Sequence, residues 1–144
     1  MMRELKFRAW DAEKNTMYTV RELRLYNTEN AHIFVTDIGW LSAGKGTVMQ
    51  YTGMKDNRNK GEELYHKDIL FVGDGYCGDH LERGGNFIIE WDEDNWQMQN
   101  AKGEYLCSLW EAIYNRSAQH MGNVYENLEL IGGQDESEQG VKVR

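Results

Sequence analysis

The chain has 144 residues and a formal net charge of −8, with 40% apolar and 28% charged side chains; this balance excludes fibrous and wholly disordered classes and fits one domain, with or without an appended hairpin. The acidic excess argues against sequence-independent binding to a phosphate backbone, which rests on Lys and Arg. No run approaches the ~18 apolar residues of a membrane helix, residues 1–10 lack an apolar signal core, and Cys77 and Cys107 are too few for a disulfide framework, so a cytoplasmic protein with reduced thiols is expected.

Leu5, Phe7 and Ala9 alternate with Lys6, Arg8 and Trp10, the period of a strand with one wet face. Residues 11–15 read as its turn and 16–20 as the returning strand. Leu23 and Leu25, a turn cluster at 27–30 and the run 33–38 predict a second strand pair, and 39–46 reads as a glycine-bearing connection. Residues 47–52 alternate again, ahead of a polar loop from Gly53 to Gly61 and extended structure over 64–72. Gly73, Gly75, Gly78, Gly84 and Gly85, with charges between them, read as a mobile loop too polar to pack. Phe87, Ile89 and Trp91 form an inward face, and the acidic turn 92–95 leads back through Trp96 and Met98. Ser108 and Glu111 have capping-box spacing, which predicts a short helix carrying Leu109, Trp110, Ile113 and Tyr114 at helical intervals. Residues 124–131 read as a last extended segment, and 132–144, poor in apolar residues, as a disordered tail.

Several motifs are weighed and set aside. Gly39, Gly44 and Lys45 resemble the start of a phosphate-binding loop, but Gly46 stands where a hydroxyl is needed and a strand follows where a helix belongs. Cys77 and His80 have C-x-x-H spacing without a second pair, so no metal is expected. Glu90 and Asp92 share one strand face, close enough in principle for acid and base roles, yet a solvated acidic hairpin explains them better. No nucleophile elbow exists. Of the five tryptophans, only Trp10 and Trp40 fall outside core-facing patterns.

The run Lys6-Phe7-Arg8-Ala9-Trp10-Asp11 with Met17-Tyr18, the block from Met49 to Asp56 with Leu64 to Leu70, Ile89-Glu90-Trp91-Asp92, and Gly122 to Asn127 together resemble the YopX family of phage and prophage proteins. The resemblance spans residues 6–131. It implies a mainly β fold with an SH3-like small barrel, and a phage-encoded setting without an established activity. The chain departs from the family pattern at Lys67, where a glycine is expected before the aspartate, and at Leu128, where a proline usually follows Glu-Asn.

The expected architecture is therefore a β arm or subdomain over 1–46 and an SH3-like barrel with one short helix over 47–131. Nothing pairs a nucleophile with a base, so a non-enzymatic module is expected, one that binds itself as a homo-oligomer and contacts a host or phage protein, without cofactor. Residues 1–25 hold six bases against four acids, which leaves nucleic-acid contact by the arm, or DNA mimicry by the acidic body, as the alternative. Candidate binding residues are Lys6, Arg8 and Trp10 on the arm, and Tyr51, Asp56, Tyr65 and Asp68 around the central loop.

Overall fold

The computed structural model describes residues 5–25, 31–35, 39–42, 46–57 and 61–132; the expected tail from 133 onward lies outside them. The chain divides into two units, Met1–Gly53 and Met54–Arg144.

In the first unit, β1 (Phe7–Asp11), β2 (Thr16–Leu25), β3 (Ala31–Val35), β4 (Gly39–Ser42) and β5 (Gly46–Lys55) form a sheet in the order β4-β3-β2-β1-β5. The expected first hairpin is present, with Arg8 opposite Thr19 and Asp11 opposite Thr16. Its turn is closed by the buried Asp11, whose Oδ1 accepts from the backbone N–H of Glu13 at 3.0 Å and of Lys14 at 3.3 Å, an Asx turn. Ala9 is fully buried, with Tyr18, Val20 and Val48 packed on it. One reading changes: part of the expected connection is strand β4, paired with β3. β5 runs antiparallel along β1 from Gly46 to Gln50.

The second unit holds β6 (Glu63–Tyr65), β7 (Asp68–Val72), β8 (Gly75–Cys77), β9 (His80–Glu82), β10 (Gly85–Asp92), β11 (Asn95–Gln99), β12 (Tyr105–Ser108), helix α1 (Leu109–Glu111) continued by a π-helical turn Ala112–Arg116, β13 (Ala118–Asn123) and a 3₁₀ turn Leu128–Ile131. Its main sheet runs β12-β11-β10-β7-β13. Alternation sends Leu70, Val72, Ile89, Met98 and Cys107 to one face, where Leu109, Ala112 and Ile113 cover them and Leu64 completes the core. Each fully buried Leu, Ile or Met contributes about 1.5–3 kcal/mol, and this cluster is the larger of the two hydrophobic cores described.

The fold is thus mainly β with one short helix. Its strands form open antiparallel sheets, and among the described residues none closes on itself as a barrel. Ser108 caps α1 as expected, its Oγ accepting from Glu111 N–H at 3.1 Å. The glycine-rich segment is ordered: β8 and β9 form a hairpin. The glycines let backbone pass where side chains have no room, since a Cβ on Gly84 would stand 1.9 Å from the Val72 carbonyl oxygen and one on Gly73 would stand 2.3 Å from that of Arg116. The last extended segment comes earlier than read. It is Ala118–Asn123, paired along β7, and Asn123 ends it by accepting at Oδ1 from the N–H groups of Tyr125 and Glu126.

Candidate functional site

The structure sorts the expected binding residues into two groups. On the first unit, Lys6 Nζ stands 5.3 Å from the centroid of the Tyr51 ring, and Tyr51 N–H donates to the Lys6 carbonyl at 2.9 Å. Tyr51 is buried, Arg8 is half-buried, and Trp10 is only 8% exposed, so its indole belongs to the interior and is no open stacking platform. In the second unit, Asp56 and Asp68 converge on His120. Asp56 accepts from Glu62 N–H at 3.0 Å and from His120 N–H at 2.8 Å; Asp68 accepts from Tyr65 N–H at 2.8 Å and lies 3.4 Å from His120 Nε2. Both carboxylates are buried and hold turns, with Tyr65 half-buried beside them.

Next to Asp68 lies a cluster whose members come from separate blocks of the sequence. Glu90 Oε1 is 2.9 Å from His66 Nε2, and Glu90 Oε2 accepts from Lys67 Nζ at 2.6 Å. Burial alone would raise the Glu90 carboxyl, but the hydrogen bonds and charges of His66 and Lys67 outweigh it and hold it below its ordinary value. Glu90 is therefore committed to internal partners and not paired with the exposed Asp92. The His66 ring leans on Trp96 with centroids 5.5 Å apart, and Trp96 meets the half-exposed Trp91 edge-on at 4.9 Å. Trp91, read as inward, lies where the sheet core has already ended. Lys67 itself has φ +74°; it keeps the left-handed turn that a glycine would adopt freely.

A third cluster is centred on Arg116, whose side chain is 2% exposed. Its Nη2 donates to Glu82 on β9, and its Nε donates to Glu111 on α1 at 3.2 Å. The guanidinium packs closely over Gly75; a Cβ there would be 2.6 Å from Nε, so the arginine would have to shift. Hydrogen bonds to the two carboxylates raise the guanidinium's pKa although burial opposes them. This pin ties the glycine-rich hairpin to the helix. On the outer side of that helix, Trp110 and Tyr114 are 57% and 64% exposed, their rings 5.0 Å apart. Tyr105 on β12 is also exposed, and partial desolvation, then the charges of Cys107, Glu111 and Glu82, raise its phenol. The helical intervals of Leu109 and Ile113 do mark the core side. Trp110 and Tyr114, one residue further on and so about 100° around the helix, face solvent, and their own i, i+4 spacing is the signal that pairs them. Exposed rings beside carboxylates can stack, and can attract cations.

These features define a class: a small mainly β protein with an exposed aromatic pair on a short helix anchored to an open antiparallel sheet. The YopX protein family model matches residues 6–132, and the chain belongs to that family. Among solved structures it is similar to protein EF1440 from Enterococcus faecalis, with a TM-score of 0.58 at 20% identity over 90% of this chain and 99% of that one. It is also similar to yopX from Bacillus subtilis, with a TM-score of 0.52 at 17% identity over 90% of this chain and 98% of that one. At such identities the likeness speaks to the fold. No curated protein matches the chain. No helix among the described residues is long and apolar enough to cross a membrane.

Proposed function

We propose that the chain is a phage- or prophage-encoded accessory protein acting as a binding module, one that joins copies of itself, docks a host or phage protein, and performs no reaction of its own. The observation that supports this reading is the outward pair Trp110 and Tyr114, borne on a helix fixed from beneath by Arg116. Interface energy concentrates in Trp and Tyr anchors, and anchors already held on a rigid element lose less freedom on binding. Light scattering at high micromolar concentration tests the self-association; a strict monomer removes that half. Affinity capture from infected cells with the wild type and a Trp110→Ala/Tyr114→Ala variant tests the other, and identical sets of captured proteins refute the role of this pair.

A second reading has one supporting observation. The second unit carries eighteen acids against nine bases, whereas the first carries six against seven, a segregation that suits an acidic body occupying a host DNA-binding protein. Direct contact of the arm with nucleic acid draws less support, because Trp10 is buried. A low-salt gel shift separates the two: retarded nucleic acid favours the arm, and competition with DNA for a host protein favours mimicry.

A further inference from the structure

We infer that the face made by Trp110, Tyr114 and Tyr105 with the carboxylates of Glu111 and Glu82 is a docking site for an arginine-bearing segment of a protein partner. The inference rests on the binding-module reading and names the chemistry of what binds. Three aromatic side chains more than half exposed stand on one helix and the strand leading into it. Glu111 and Glu82, with side chains 38% and 32% exposed, share a single guanidinium that is itself 2% exposed. The outside therefore offers two partly open carboxylates, while the cation that balances one of them is turned inward. The unit as a whole has twice as many acids as bases. An acidic partner or a phosphate backbone is repelled here. Among cationic side chains, arginine fits best, because a planar guanidinium stacks on indole or phenol and still hydrogen-bonds a carboxylate at its edge. Lysine offers a point charge and stacks poorly.

The test is fluorescence anisotropy of the full chain with four labelled probes of equal length: an arginine-glycine peptide, a lysine-glycine peptide, a glutamate-glycine peptide and a single-stranded oligonucleotide. The arginine peptide is expected to bind tightest, with affinity falling as salt rises. Trp110→Leu, which keeps apolar bulk but removes the aromatic face, is expected to weaken it about five- to tenfold. Trp91→Leu, at a half-exposed tryptophan on a different element, is expected to leave it unchanged. Equal binding by wild type and Trp110→Leu overturns the inference, as does tighter binding of the glutamate peptide or the oligonucleotide. Thermal unfolding of both variants controls for folding; if Trp110→Leu is unstable, Tyr114→Leu is measured by the same criteria. Partners captured by the wild type and by Trp110→Leu alike overturn this assignment but keep the module. A monomer that captures nothing overturns the module itself.

Discussion

Lys67 shows how one side chain reconciles two demands. Its backbone is left-handed, a conformation that costs a residue with a Cβ about 1–2 kcal/mol relative to the right-handed one, while its ammonium binds Glu90. Exposed or half-exposed ion pairs return about 0–1 kcal/mol, so the bond offsets only part of the strain. Lys67→Ala keeps the strain and loses the bond, whereas Lys67→Gly loses both. Urea unfolding is therefore expected to rank glycine above alanine at this position by about 1 kcal/mol, the reverse of their usual order. Glu90 supplies a pH signature. Its carboxyl, held below the ordinary value of 4.5, binds a proton less readily folded than unfolded. Its stabilising contribution is present above about pH 4.5 and lost as the pH falls through the lower folded value. Glu90→Gln is expected to flatten that part of the acid limb in denaturation curves measured between neutral and acid pH.

Among the elements, the β8–β9 hairpin depends most on a single distant residue. Replacing Arg116 with Met leaves Glu82 and Glu111 without their shared cation, and breaking a buried pair from one side costs about 3–5 kcal/mol; here the carboxylates are part-exposed, so a loss of about 2 kcal/mol in urea unfolding is expected, with part of it recovered when Glu82→Gln is added. At this hairpin the local pattern and the fold disagree. Glycines and charges between residues 73 and 86 look like solvent-loving chain, and only the tertiary fold reveals that Gly73, Gly75 and Gly84 are sites of close approach and that Glu82 has a buried partner. In contrast, the Asp11 turn, the Ser108 cap and the β10–β11 hairpin were legible, because each depends on side chains within a few residues of each other. β13 was missed for the opposite reason: its residues have little strand preference of their own, and pairing with β7 imposes the conformation.

For the whole molecule, the alternation along the chain makes the strands legible, whereas the pairing of β5 with β1 is long-range information that no local pattern carries. The candidate site was legible only in its pieces. Asp56 and Asp68, candidates around the central loop, accept from the backbone N–H groups of Glu62, His120 and Tyr65; Trp110, which the pattern reads as core-facing, faces water beside Tyr114, because helical spacing alone gives no compass. The second unit has its own extended core, whereas the described core of the first centres on Ala9. A fragment of residues 54–132 is expected to unfold cooperatively in urea.

The indoles of Trp91 and Trp96, opposite each other across β10 and β11 with their planes 71° apart, have an optical consequence. Two chromophores held so close and at a fixed angle share their excited states, so the hairpin carries its own circular-dichroism couplet in the far ultraviolet. Replacing Trp91 with Phe is expected to erase that couplet while the rest of the spectrum persists, which turns this ribbon into a reporter of its own pairing, readable without any added label.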